Sequence, residues 1–172
     1  MIIIQRFFEI CFFKASPADV PASGWLMKLC LLTYFCLSLF VNSLEYGAFV
    51  SFVGSLCEIL VLLLLVHLYL QLTGFAHRYL QTVTAMAGCA ACISIVGTPL
   101  VLAFHFFAGG EDVRITVLTV WLMMLLMFWN IAVNVHIFKQ AMNMKTSSAV
   151  LASLTYSIVL TMAVRFTLAG VM

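Results

Sequence analysis

The segment from Gly47 to Leu72 is the longest strongly apolar run in the chain, and it carries one carboxylate, Glu58, near its middle. A helix needs roughly 20 mostly apolar residues to cross a bilayer, so this run is long enough to cross once. A carboxylate near the centre of such a helix costs about 2.5 kcal/mol or more on insertion scales. The sequence therefore predicts a membrane-spanning helix that turns Glu58 toward other helices.

The composition places the whole chain in the membrane class. Of its 172 residues, 65% are hydrophobic and 8% are charged, whereas a soluble domain has about 25% charged residues. The net charge of +2 and the absence of a lysine or arginine cluster in the sequence argue against a nucleic-acid partner. All six cysteines fall within apolar stretches, where we interpret them as reduced packing residues.

The first 24 residues predict a helix that lies along the membrane, followed by a corner that contains two prolines. In residues 1–15, Gln5, Arg6 and Glu9 share a narrow polar face, and isoleucines and phenylalanines cover the rest. This run is too short to span a bilayer, so an interfacial amphipathic helix fits it better. Residues 16–24 have the serine caps and the early proline that are typical of a short turn before a helix.

Residues 25–172 predict a membrane domain, so the expected fold is an all-α integral membrane protein with a bundle of five transmembrane helices. The spans are predicted near 25–43, 47–70, 82–107, 115–138 and 148–168. Lysine and arginine are concentrated in the segments on the N-terminal side of the membrane, and only Arg114 and Arg165 fall on the other side. This bias predicts a cytoplasmic N-terminus and an outside C-terminus, in a bacterial inner membrane.

Polar residues inside the predicted spans are the candidate site. Glu58 is either a proton or cation site or a hydrogen-bonded group that fixes helix packing. Tyr69, eleven residues later, lies within about 20° of the same helix face, and Arg165 either pairs with Glu58 or extends outward to the interface. Asn130 and Asn134 lie four residues apart, so they point the same way and either join helices by hydrogen bonds or line a polar pocket.

The third predicted span contains a run of small residues and a C-x-x-C pair. Ala87 and Ala91, and likewise Gly88 and Cys92, are four residues apart, which predicts a close contact between helices. Cys89 and Cys92 also form the pattern of a thiol oxidoreductase, but a reactive thiol needs nearby positive charge and access to partners. Both cysteines lie well inside the span, so packing is the favoured interpretation.

Four common motifs of enzyme chemistry are absent from the sequence. It has no nucleophile elbow, phosphate loop, metalloprotease helix or pair of carboxylates at catalytic spacing. The four histidines do not follow the spacing of metal ligands. We therefore expect a non-enzymatic protein without a metal or a cofactor.

Five spans with short loops, an inside N-terminus and an outside C-terminus resemble the Yip1 family of small membrane proteins. The segment from Phe12 to Ser23, FFKASPADVPAS, also resembles the region before the first span in uncharacterised small bacterial inner-membrane proteins. This resemblance implies a five-span membrane fold, and it implies no particular activity or site residue.

Two classes of function compete, and a third remains. The favoured class is a scaffold, accessory subunit or assembly factor that contacts lipid and either a membrane-protein partner or a second copy of itself. The competing class is a small transporter or channel in which Glu58, Asn130 and Asn134 line a polar path. A membrane thiol oxidoreductase that uses Cys89 and Cys92 is the third. The first two differ in whether those polar residues meet at a cavity or disperse into tight contacts.

Overall fold

The computed structural model describes residues 2–107 and 113–171, and this part of the chain is helical. Its α-helices are α1 (Ile2–Cys11), α2 (Gly24–Ser43), α3 (Ala48–Thr73), α4 (Tyr79–Phe107), α5 (Val113–Ala141) and α6 (Thr146–Val171). Helices α2 to α6 are each long and apolar enough to span a membrane. The all-α fold predicted from the sequence is confirmed, and each predicted span matches one of these helices to within about one turn.

Local signals in the sequence explain where the helices begin and end. Ser16 accepts a hydrogen bond from Ala18 N, and the Asp19 carboxylate accepts one from Ser16 N, so this capping box closes a 3₁₀ turn in the corner before α2. Ser23 caps α2 by accepting from a backbone amide in its first turn. Gly74 ends α3 in the left-handed conformation at φ 79°, which glycine adopts without strain.

The five long helices pack as a closed ring whose spatial order differs from their order in the chain. Around the ring, α2 contacts α4, α4 contacts α5, α5 contacts α6, α6 contacts α3, and α3 contacts α2. Helix α3 also touches α4 across the ring. Residues 82–89 in the first half of α4 are all buried, so this half of α4 is the most enclosed part of the bundle.

The apolar core lies toward one end of the ring, which we call the core end; it contains the connections before α2, between α3 and α4, and between α5 and α6. Its largest fully buried side chains include Leu70 and Phe138. Arg78 in the α3–α4 connection donates from Nη1 to the carbonyls of Gln140 (3.3 Å) and Ala141 (3.2 Å) at the end of α5. The opposite end, with the α2–α3 connection, is called the far end.

Helix α1 lies outside the ring against α4 and, to a smaller extent, α5. Its Phe7, Ile10 and Cys11 side chains are buried, whereas Ile4 and Phe8 are exposed. The predicted polar residues Arg6 and Glu9 form an ion pair of 2.8 Å on its outer surface. The outer face of α1 is therefore mixed, with one ion pair among exposed apolar side chains.

Candidate functional site at Glu58

Glu58 lies on α3 and faces α2, where two hydroxyl groups donate hydrogen bonds to one of its carboxylate oxygens. Ser38 Oγ lies 2.6 Å from Glu58 Oε2, and the Tyr34 hydroxyl lies 3.2 Å from the same atom. Hydrogen bonds from two neutral donors offset part of the cost of placing a carboxylate among apolar helices. Helix α2 thus supplies the helix contact that the sequence required for Glu58.

Two further polar side chains extend this contact into a network. Asn42 Nδ2 donates to Ser38 Oγ at 3.2 Å and to Ser55 Oγ at 3.0 Å, and the two serine oxygens are 3.0 Å apart. A serine hydroxyl has a single proton. Because Ser38 uses its proton on Glu58, Ser55 donates to Ser38. We call Tyr34, Ser38, Asn42, Ser55 and Glu58 the Glu58 cluster.

Four of the five members of the Glu58 cluster were not predicted from the sequence. The signal that could have found them is their helical spacing, since Tyr34, Ser38 and Asn42 recur every four residues along α2. Ser55 and Glu58 are three residues apart and so share one face of α3. Two facing polar stripes on consecutive apolar helices therefore predict such a network, although each serine or tyrosine alone does not.

Glu58 lines two cavities. The first, of 260 Å³, lies among α2, α3, α4 and α5 and is called the α4-side cavity. The second, of 540 Å³, lies toward the far end and is called the Arg165 cavity, because it is lined by Arg165, Asn42 and Glu45 as well as Glu58. In the described residues no donor contacts Glu58 Oε1 and no buried side-chain polar atom lacks a partner. Glu58 Oε1 therefore keeps some accessible surface, and Glu58 lines both cavities.

Arg165 lies at the same cavity as Glu58 but does not pair with it. The ion pairs found within 4.0 Å in the described part of the chain are Arg6 with Glu9 and, at 4.0 Å, His105 with Glu45. Arg165 is exposed. The sequence left open whether Arg165 pairs with Glu58 or extends outward, and in the structure the two side chains do not pair.

Asn130 and Asn134 line a third cavity, of 440 Å³, which we call the central cavity because residues from all five long helices line it. Asn134 Nδ2 donates to Asn130 Oδ1 at 3.1 Å, so the two amides bond to each other along α5. Tyr34 lines both the central cavity and the α4-side cavity. The asparagine pair and Glu58 thus lie at adjoining cavities that share the Tyr34 side chain as a wall.

Tyr69 is not part of this site. Its ring packs edge-on against Phe138 at 5.6 Å, in the core end. Tyr69 shares a helix face with Glu58, but eleven residues of helix separate the two in depth by about 16 Å. The tyrosine that contacts Glu58 is Tyr34 of α2, which a pattern within one helix does not identify.

The small residues of α4 lie at a crowded contact. Ala87 and Ala91 are buried. At Gly88, a Cβ atom would lie 2.5–2.7 Å from the Phe7 ring of α1, a separation that real Cβ atoms do not show. The close approach at Gly88 is therefore made by α1 rather than by another long helix.

The two cysteines of the C-x-x-C pair differ in their surroundings. Cys89 is buried under α1, with its thiol 3.7 Å from the carbonyl oxygen of Phe7. A hydrogen bond with the Cys89 thiol lowers the pKa of Cys11 on α1. Cys92 is partly buried and lines apolar pockets beside α1. All six cysteines of the chain are free thiols.

Comparison of this chain with models of protein families, with curated proteins and with solved structures finds no match. Within residues 2–107 and 113–171, no three histidine, cysteine, aspartate or glutamate side chains are grouped so that they could hold a metal ion. The fold therefore defines the class to which the chain belongs: an all-helical protein with five helices long and apolar enough to cross a membrane.

Proposed function

We propose that this chain is a small, non-enzymatic integral membrane protein that binds a cation at Glu58 and conducts it as a transporter or channel. The observation that carries the proposal is that the two oxygens of the Glu58 carboxylate have different surroundings. Oε2 accepts hydrogen bonds from Ser38 and Tyr34, whereas no donor among the described residues contacts Oε1, and Glu58 lines two cavities. A carboxylate fixed in this way has one oxygen for a proton or a small cation, and carboxylates inside membranes mark such pathways.

The order of the cavities along the ring supports the same proposal. The central cavity contains Asn134, the α4-side cavity contains Tyr34 and Glu58, and the Arg165 cavity contains Glu58 and Glu45. Polar groups therefore follow one another from the middle of the ring toward the far end. At the core end, buried apolar side chains such as Phe138 close the bundle. We infer that the cation enters from the far end and that passage requires the core end to open.

The Glu58→Gln variant is expected to lower cation flux at least about tenfold, because the amide can accept the Ser38 and Tyr34 hydrogen bonds but cannot balance a cation. The protein, purified alone, is reconstituted into liposomes with a trapped pH dye, and proton, sodium and potassium gradients are imposed in turn. Glu9→Gln is the matched control, since it removes a carboxylate that lies outside the ring. Flux that is equal in Glu58→Gln and in the unmodified protein would reject the proposal.

A second candidate is an accessory subunit or scaffold, and helix α5 supports it. Its membrane-length segment is the least buried of the five. Trp121, Leu125 and Phe128 form one exposed stripe at intervals of four and three residues. A partner helix fits such a stripe as well as lipid does. Purification from the native membrane in mild detergent tests it: a stoichiometric partner supports this candidate, and a lone protein that conducts cations rejects it.

We further propose a bacterial inner-membrane location with the core end in the cytoplasm, the C-terminus outside and α1 at the cytoplasmic interface. The core-end connections carry Lys14, Arg78 and Lys145, which supports this orientation. The exposed Ile4 and Phe8 on α1 support contact of that helix with lipid.

An alkaline phosphatase fused to the C-terminus is expected to be active, and an inactive fusion would reverse the orientation. Membership of a Yip1-like family would agree with this arrangement and stays a prediction.

A further inference from the structure

The central cavity has the size and lining of a site for a small organic molecule. Its volume of 440 Å³ lies within the range of about 300–1,000 Å³ that ligand pockets occupy. None of the described residues that line it carries a charge. Because an unpaired ion is costly in such surroundings, the lining favours an uncharged ligand. The central cavity adjoins the cation site at Glu58 through the shared Tyr34 side chain, but ligand binding in it is measured without reference to cation flux.

Two of the polar residues that line this cavity are almost wholly enclosed. Tyr156 is 5% exposed and Asn134 is 8% exposed. Within the described residues, the Tyr156 hydroxyl has no hydrogen-bond partner. No side-chain nitrogen or oxygen atom in these residues is both fully buried and without a hydrogen bond. The hydroxyl therefore keeps some accessible surface, and Tyr156 is one of the residues that line the cavity. Asn134 uses one of its two N–H groups on Asn130, which leaves the second for a ligand.

The course of helix α6 opens the central cavity on one side. Near the core end, Ser153 Oγ donates to the carbonyl oxygen of Ile131 at 3.1 Å and ties α6 to α5. Nearer the far end, Thr167 Oγ1 lies 3.3 Å from Cys57 Sγ, and this contact ties α6 to α3. Helix α6 thus leaves α5 and crosses to α3, and the two helices that flank the cavity separate toward the far end.

The side chains at this separation face the surroundings of the protein. Met127 on α5, with Ile158 and Met162 on α6, lines the cavity and is also exposed on the outside of the bundle. These helices are long and apolar enough to span a membrane, so the opening faces lipid. Methionine side chains are flexible and adapt to varied apolar shapes. A molecule dissolved in the membrane can therefore enter sideways, between α5 and α6.

We propose that the central cavity binds a neutral, single-chain lipid ester, whose acyl chain lies between α5 and α6 and whose carbonyl accepts hydrogen bonds from Tyr156 and Asn134. The two free donors match the two lone pairs of a carbonyl oxygen. The apolar side chains of the opening match an acyl chain, and the uncharged lining excludes a phosphate-bearing headgroup. A monoacylglycerol has this chemistry.

The test is photolabelling of the purified full-length protein with a monoacylglycerol that carries a diazirine in its chain, followed by peptide mass spectrometry. We expect label on Met127 and Met162, and competition by unlabelled monoacylglycerol. Tyr156→Phe is expected to weaken binding about fivefold, since it removes one hydrogen bond and little volume. Tyr79→Phe is the matched control, because the Tyr79 hydroxyl reaches the carbonyl of Leu63 (3.5 Å) and does not line the cavity.

A second variant keeps the test decisive if the loss of the Tyr156 hydroxyl alters the fold. Ala90 lines the cavity, so Ala90→Leu places apolar volume in it without changing Tyr156 or Asn134, and it should abolish the label. Melting of each variant in detergent establishes that it is folded. Label spread evenly over the outer surfaces of the helices would overturn the proposal, as would equal competition by phosphatidylglycerol or label that neither variant reduces.

Discussion

Replacing Phe138 with alanine is expected to lower the free energy of unfolding by about 3 kcal/mol. The Phe138 ring is 0% exposed and lies edge-on to Tyr69 at 5.6 Å and to Tyr156 at 6.0 Å. It therefore joins α3, α5 and α6 at the core end. Lipid is as apolar as the ring, so the loss arises from missing contacts in a cavity rather than from transfer to water.

Unfolding of the Phe138→Ala variant is measured by titration with a denaturing detergent in mixed micelles. Phe128→Ala is the matched control, because Phe128 lies on the same helix and is 59% exposed. That control should change the free energy of unfolding by less than about 0.5 kcal/mol. Similar losses in the two variants would mean that the core end does not hold the ring together.

The positions of the long helices follow from the sequence, but their arrangement in the ring does not. Apolar runs of sufficient length predict the long helices directly, as the match between the predicted segments and the observed helices shows. The faces that pack are not marked, because these helices are apolar on all sides. On α3, Leu62 is 1% exposed and Leu64 is 65% exposed, although the two residues are identical in type. Only the packing of neighbouring helices distinguishes them.

In the candidate site, too, the sequence predicts some features and leaves others undetermined. The cost of an isolated carboxylate predicts that Glu58 turns toward another helix, but its partners Ser38 and Tyr34 depend on how α2 and α3 are aligned in depth. Tyr69 shares the face of Glu58 but lies about 16 Å from it along α3, so it is not a partner. Asn130 and Asn134 were expected to point the same way, and they form a hydrogen bond with each other. This bond uses the acceptor of Asn130 and one N–H of Asn134, so these groups do not need a partner on another helix.

The docking of α1 on the ring was also outside the reach of the sequence. The pattern in residues 1–15 predicts a helix on which Arg6 and Glu9 share a polar face, and in the structure these two residues form an ion pair. The residues that attach α1 to the bundle, Phe7 and Gly88, lie 81 positions apart in the chain. A glycine in an apolar span admits any close neighbour, so it does not reveal which helix approaches.

Replacing Gly88 with alanine is expected to lower the free energy of unfolding by about 1–3 kcal/mol and to loosen α1 from the ring. The added Cβ would lie 2.5 Å from the Phe7 ring, so either the ring or the whole of α1 must move. Gly24→Ala makes the same change at the start of α2, where a Cβ would meet nothing within 4 Å, and it should be neutral or slightly stabilising.

Limited trypsin digestion reports the attachment of α1, because Arg6 and Lys14 lie within and just after it. Cleavage after Lys14 must open the chain next to the buried Ala15, so it should be faster in Gly88→Ala than in Gly24→Ala. Phe7→Ala removes the ring that the new methyl group meets. Combined with Gly88→Ala, it should destabilise the protein less than the sum of the two single changes, by about 1 kcal/mol or more. Strict additivity would show that Gly88 and Phe7 do not hold α1 on α4.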